Sequence, residues 1–187
     1  MTREAALAAL AVAAVALVAC PLPQPVASVR RENGGTTTTP PRVDPSTAVP
    51  SEALVKVSTA CPEPPTFHVR ATLVDDDTTE VVSVRWFVDY ARDDARSSLP
   101  MFSEEVPGSE DETQTTRALT PLALTLGAPF DTAAGTVHVL ELVVSNGFYA
   151  LYTDGLPLPN RTPQPGFETQ VFRWVFQFDP ASDNCGS

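Results

Sequence analysis

Alternation of apolar and polar side chains is the feature that most constrains how this chain can fold. From Ala53 onward this two-residue period recurs in several short segments, and no segment keeps a helical period through three turns. The clearest segment, 66–74, places Phe67, Val69, Ala71 and Leu73 on one face. Successive side chains of a strand point to opposite faces, so this pattern predicts half-buried strands and an all-β fold.

Four further segments carry the same kind of pattern, at 81–90, 119–126, 136–147 and 169–178. In the first of these, Trp86 is expected in the core. In 136–147, the face that carries Glu141 is expected to meet solvent. The last segment has the strongest apolar stripe, which consists of Phe172, Trp174, Phe176 and Phe178. Several short strands separated by turn signals favour a β-sandwich over folds that need crossover helices.

The N-terminal residues have the composition of an export signal. A single basic residue, Arg3, precedes an uncharged apolar run from Ala5 to Ala19, which is shorter than the roughly 20 residues that a spanning helix needs. Leu17-Val18-Ala19-Cys20 resembles the lipobox of bacterial lipoproteins. The resemblance implies that residues 1–19 are a signal peptide and that Cys20 carries a lipid. A cleaved soluble form and an uncleaved anchor are the alternatives.

The segment that follows the lipobox differs in composition from the rest of the chain. Residues 20–52 are rich in Pro and Thr, contain no aromatic residue and show no period. Such a segment lacks the apolar area that would offset its conformational entropy, so it is predicted to be a disordered linker. The expected folded domain is therefore 53–187.

Two of the predicted strands resemble those of bacterial immunoglobulin-like domains, including the polycystic-kidney-type repeats. The resemblance lies in Val84-Arg-Trp86-Phe-Val88-Asp89 and in the segment from Ala134-Gly135 through His138 to Asn146-Gly147. It implies a single immunoglobulin-like sandwich. This sequence departs from the family in having Asn146 where many members have Asp, and its cysteines are not placed to join the two sheets beside Trp86 as they do in antibody domains.

Two cysteines remain once Cys20 is assigned to lipidation. Cys61 and Cys185 lie before the first clear strand and after the last one. In an exported, oxidising environment this pair is predicted to form a disulfide that joins the two ends of the domain. Two free thiols are the alternative.

The sequence contains no motif that points to catalysis. A Gly-x-Ser-x-Gly elbow, a phosphate-binding glycine loop and a His-Glu-x-x-His helix are all missing, and His68 and His138 fall within strand patterns where a structural role is favoured. The 12 Lys and Arg against 23 Asp and Glu give a formal charge of -11, which argues against nucleic acid and anionic bilayers as partners. We expect no enzyme activity and no cofactor.

Two acidic segments are predicted to lie in loops. Asp75, Asp76 and Asp77 follow the first clear strand and are weak candidates for a calcium site. A solvated turn is the favoured interpretation of this triplet, because adjacent side chains point in different directions. The segment 104–112, with five carboxylates around Pro107-Gly108, is expected to be an exposed loop.

The connection 149–168 is the expected partner-binding region. It is long for a loop, and Tyr149, Tyr152, Leu156 and Leu158 give it aromatic and apolar contact surface. Packing of this connection on the sandwich edge is the alternative. The expected function is that of a lipid-anchored envelope protein that binds a protein or glycan or serves as a structural subunit, with a calcium-dependent adhesion module or a hydrolase as alternatives. In the lipoproteins that the N-terminus resembles, Asp directly after the lipidated cysteine is associated with retention in the inner membrane. Pro21 follows Cys20 here, so the resemblance implies the outer membrane.

Overall fold

A computed structural model describes residues 39–91, 94, 98–150 and 161–186, together with the backbone of 152–153 and 156–157. These residues belong to the compact unit Arg31–Ser187 and form strands, turns and loops without any helix. In this part of the chain there is accordingly no helix able to cross a bilayer. The predicted all-β fold is confirmed. The proposed signal peptide, Cys20 and most of the proposed linker lie outside the described residues.

Eleven strands are present in the described residues. They are β1 (Arg42–Val49), β2 (Leu54–Ser58), β3 (Thr66–Val74), β4 (Val82–Val88), β5 (Phe102–Val106), β6 (Thr116–Ala118), β7 (Leu122–Thr125), β8 (Val137–Ser145), β9 (Tyr152–Thr153), β10 (Leu156–Pro157) and β11 (Gln170–Asp179).

Two sheets form the predicted sandwich. The four-stranded sheet has the order β1-β3-β6, with β7 pairing a different part of β3, and the five-stranded sheet has the order β2-β11-β8-β4-β5. All of these pairs are antiparallel except β2 and β11, which run parallel. The first two described strands therefore join different sheets, β1 at the edge of one and β2 at the edge of the other.

The main core lies between the two sheets and is built by the side chains that the alternation predicted. Trp86 and Trp174 are fully buried, and their rings stack with centroids 5.8 Å apart. Phe67 and Phe176 meet from opposite sheets at 5.0 Å. The aromatic stripe of β11 is thus an inward face, although Phe172 at its beginning is only partly buried.

Cys61 and Cys185 form a disulfide, as predicted, with their Cα atoms 5.6 Å apart. The bridge closes a loop with a sequence separation of 124 residues. In the chain-entropy model such a closure stabilises the fold by about 4 to 5 kcal/mol. The end of the sandwich that carries this bridge is called the disulfide end below.

The domain begins earlier than predicted, because β1 lies inside the segment assigned to the disordered linker. β1 buries only two apolar side chains, Val43 and Ala48. Their spacing hides the alternation, since the pairing with β3 shifts register between Asp44 and Val49. Within the shifted part, the hydroxyl of Thr47 accepts a bond from the Thr72 N–H. A bulged edge strand of this kind has no two-residue period to detect.

The acidic segment 104–112 is also partly a strand. Residues 104–106 belong to β5, which pairs with β4 at the edge of the five-stranded sheet. Its exposed carboxylate Glu105 accepts two close contacts from the hydroxyl of Ser83. Charged side chains are common on edge strands because they discourage pairing with another chain. The predicted loop therefore begins only after Val106.

Candidate functional site

The connection between β8 and β11, residues 146–169, is called the β8–β11 loop, and its described residues Phe148, Tyr149 and Arg161 contact the outer face of the five-stranded sheet. Phe148 near its start is only 7% exposed and forms a second, small core with Phe87 and Val143. Tyr90 and Val171 pack against the same group. The sheet therefore buries apolar side chains on both faces, one against the other sheet and one against this loop.

Hydrogen bonds hold both sides of the β8–β11 loop near its base. Arg85 of β4 donates to the carbonyl oxygen of Tyr149 at 2.6 Å, and its guanidinium carbon lies 4.3 Å from the ring centroid of Phe148. From the other side of the loop, the Gln164 side chain donates to the Phe148 carbonyl at 2.7 Å. The Gln164 N–H donates to the Gly147 carbonyl at 2.9 Å. The two sides of the loop are thus tied to each other and to the sheet.

A buried carboxylate adds an ionic contact between sheet and loop. Glu141 Oε1 lies 3.1 Å from Arg161 of the loop and 2.7 Å from Arg173 of β11. Arg161 also places its guanidinium carbon 4.9 Å from the ring centroid of Tyr90. The expectation that the Glu141 face meets solvent is wrong, because the loop covers this face and leaves Glu141 only 6% exposed. Sequence alternation cannot detect a face that is covered by a distant loop.

The middle of the β8–β11 loop contains a short hairpin. β9 and β10 pair with Leu156 opposite Thr153 and Pro157 opposite Tyr152. Of the predicted contact residues, Tyr149 is half-buried, Tyr152 and Leu156 are described by their backbone only, and Leu158 lies outside the described residues.

The side-chain carboxylates of Asp75, Asp76 and Asp77, the proposed calcium ligands, have separate partners. Asp75 is fully buried and pairs with Arg117 at 2.5 Å. Asp76 lies 3.6 Å from Arg42, and Asp77 accepts bonds from the Thr79 N–H and hydroxyl. A solvated turn therefore describes Asp76 and Asp77 but not Asp75. Among the described residues no group of three or more His, Cys, Asp and Glu side chains is arranged to hold a metal ion.

Two carboxyl groups in the connection between β3 and β4, those of Asp75 and Glu80, have raised pKa values. Burial raises the pKa of Asp75, although the Asp77 N–H and Arg117 act in the opposite direction. Burial raises the pKa of Glu80 as well, with a further contribution from the charges of Asp77 and Asp75. Glu80 accepts a hydrogen bond from the side-chain amide of Asn146, the first residue of the β8–β11 loop. The acidic connection 75–81 and the β8–β11 loop are thus in direct contact.

The two histidines have different surroundings. His68 lies on the outer face of β3 and is exposed. His138 is buried, with Nδ1 2.6 Å from Asp89 Oδ2 and Nε2 2.7 Å from the Asp131 carbonyl oxygen. Asp89 itself has a φ of 49°, and its other oxygen accepts from the Val139 N–H. Both ring nitrogens of His138 thus have partners within the fold, which is the structural role that the sequence favoured.

Two of the shallow depressions in the described part of the chain lie at the disulfide end. One, of about 360 Å³, has apolar walls that include Met101 and Phe130, with Asp89 as its one titratable side chain. The other, of about 290 Å³, lies beside Cys61 and is lined mainly by prolines and small residues.

Comparison with known protein families and with curated proteins found no match for this chain. The function is therefore argued from the residues themselves. The residues that build the candidate site are Arg85, Phe148, Arg161 and Gln164, and the sequence reasoning missed all four. Of these four residues, only Phe148 lies beside a local signal, because it follows the Asn146-Gly147 dipeptide that marks a turn.

Proposed function

We propose that this chain is a non-enzymatic protein of the bacterial cell envelope, anchored to the outer membrane through a lipid on Cys20. Its sandwich binds a protein or glycan partner with the β8–β11 loop. The observation that carries the proposal is the fixation of this loop: its base is tied to the sheet by Phe148, Gln164 and Arg161, while its middle forms a hairpin. A loop held at its base loses little conformational entropy when it binds.

The charge and the contacts of the acidic residues support this reading over the alternatives. The formal charge of -11 disfavours nucleic acid as a partner and direct adsorption to anionic lipid. The pairing of Asp75 with Arg117 disfavours the calcium-dependent adhesion module, because a cationic side chain already neutralises the carboxylate that such a site would use. The acidic-loop hydrolase has no further observation in its favour.

Lipid attachment is tested by mass spectrometry of the protein isolated from a bacterial host, with Cys20→Ser as the control. We expect the wild type to begin at position 20 with a mass increased by acyl chains and to partition with membranes. The Cys20→Ser chain should lack that mass. A wild-type protein that retains Met1, or that is bare at Cys20, contradicts the anchor.

Partner binding is tested by site-specific photo-crosslinking of the full chain in envelopes. A photoreactive residue replaces Tyr152 or Leu156 of the hairpin in one set and Arg70 or Ala123, on the exposed outer face of the other sheet, in the control set. The expected result is one adduct of defined mass from the hairpin positions and none from the controls. Equal adducts from all four positions, or adducts from the control face alone, contradict the assignment of the loop.

A further inference from the structure

Arg117, at the centre of β6, is a buried cation that donates hydrogen bonds to two separate connections of the chain. Its side chain is only 6% exposed. The guanidinium donates to Asp75 Oδ2 at 2.5 Å and to the carbonyl oxygens of Glu80 at 2.7 Å and Pro107 at 3.1 Å. A fourth, longer contact at 3.4 Å reaches the Asp77 carbonyl. Four oxygens from two separate connections therefore surround one positive charge.

The chemistry of these four oxygens is that of a calcium site. Ca²⁺ is bound in proteins by carboxylate and backbone carbonyl oxygens, completed by water, and the oxygens around Arg117 are one carboxylate and three backbone carbonyls. We propose that Arg117 acts as a built-in cation, which occupies the position of a divalent metal ion and holds the two connections together without one. Removal of the guanidinium is then expected to leave a latent calcium site.

The two connections are fitted to each other around this charge. The Ser109 N–H donates to the Thr78 carbonyl at 2.6 Å. A Cβ atom at Gly108 would fall 2.2 Å from the Thr79 carbonyl oxygen, so only glycine permits the observed approach of the two backbones. The carbonyls that face Arg117 are thus fixed by neighbouring contacts as well as by the arginine. This pre-arrangement is what would allow another cation to use them.

The arrangement also explains why a buried carboxylate is tolerated at Asp75. A charged carboxylate that loses its only cationic partner in a buried position costs several kcal/mol, whereas loss of both charges together is often nearly neutral. Arg117→Met should therefore be much less stable than the wild type. The double variant Asp75→Asn/Arg117→Met should recover most of that loss. The two variants differ in one respect that matters here, because only the single variant keeps the carboxylate that a metal ion would bind.

The test is thermal unfolding of the purified chain in 10 mM calcium and in EDTA. The wild type and the double variant should change by less than about 1 °C between the two conditions, because neither offers a vacant anionic site. Arg117→Met should melt about 3 to 6 °C higher in calcium, which corresponds to a millimolar dissociation constant. A response of Arg117→Met no larger than that of the double variant overturns the proposal.

A second measurement applies where Arg117→Met is unfolded in EDTA. The near-ultraviolet circular dichroism of the two buried tryptophans, Trp86 and Trp174, reports native packing. Recovery of this signal on addition of calcium to the single variant supports the built-in cation. Absence of recovery, with a double variant that is folded throughout, overturns it. Neither measurement depends on a binding partner or on acylation, so the result is independent of the proposed function.

Discussion

The outer faces of the two sheets have the same kind of strand beneath them and opposite environments. On the four-stranded sheet, His68 and Arg70 of β3 point outward and are exposed, so burial alternates along the strand. On the five-stranded sheet, the β8–β11 loop covers the outer face, and Val143 and Phe87 there are completely buried. Burial along β8 is consequently almost continuous from Leu140 onward. What lies over a face, and not the strand itself, decides whether its outward residues tolerate change.

The largest contrast between the faces should come from Phe148→Ala. Loss of this ring removes the centre of the small core on the covered face, and we expect a decrease in the free energy of unfolding of about 3 kcal/mol. Arg70→Ala, on the uncovered face, should change it by less than about 0.5 kcal/mol. Urea unfolding followed by tryptophan fluorescence measures both. Similar values for the two variants would mean that the loop contributes little to the stability of the covered face.

A smaller decrease in the free energy of unfolding is expected from Gly147→Ala. The added Cβ would lie 2.5 Å from the Phe167 ring, which packs directly on this glycine. Phe167 is 42% exposed and can move toward solvent, so displacement of its ring should cost about 1 kcal/mol, at the low end of the range for overpacking. The double variant Gly147→Ala/Phe167→Ala serves as the control, since it removes the obstructing ring. If the double variant is no more stable than expected from adding the two single effects, the clash is not the cause.

The two arginines at Glu141 allow a finer comparison of sheet and loop. Arg161→Met removes the ionic contact of the loop and its contact with Tyr90, and should cost about 1 kcal/mol. Arg173→Met removes a more exposed partner on the sheet itself and should cost about half as much. Amide hydrogen exchange of 147–149 should accelerate in the first variant only. Equal acceleration in both would indicate that Arg161 does not hold the loop.

The smallest effect concerns the base of the loop and depends on pH. Because the folded state raises the pKa of Glu80, this group stabilises the fold most below its ordinary pKa of about 4.3. That contribution is lost as the pH rises through the folded-state value. Glu80→Gln removes this dependence and keeps an acceptor for Asn146. It should be more stable than the wild type at pH 7, by less than about 1 kcal/mol, and equal to it near pH 4. Urea unfolding of the wild type and Glu80→Gln at pH 7 and pH 4 measures this difference in stability. A difference that grows toward acid pH contradicts the raised pKa of Glu80.

The sequence predicted the strands that alternate and missed the contacts that bridge distant segments. Thr66–Val74 coincides with β3, and 169–178 differs from β11 by one residue, because inward aromatic and aliphatic side chains mark both segments. β1 was missed because a register shift breaks its period. The covering of Glu141 depends on Arg161, which is twenty positions away and carries no local signal. The pairing of Asp75 with Arg117 spans 42 positions and is equally invisible to a local pattern.

The position of the disulfide also determines how the domain would respond to a mechanical load. Cys61 is joined to Cys185, so tension applied between a point before Cys61 and a point after Cys185 passes directly from one cysteine to the other. Residues 62–184 form a closed ring that bears none of this tension. Of the described strands, only β1 and β2 lie before Cys61, so they are the ones that such a load would pull, and the strands between the two cysteines are shielded from it.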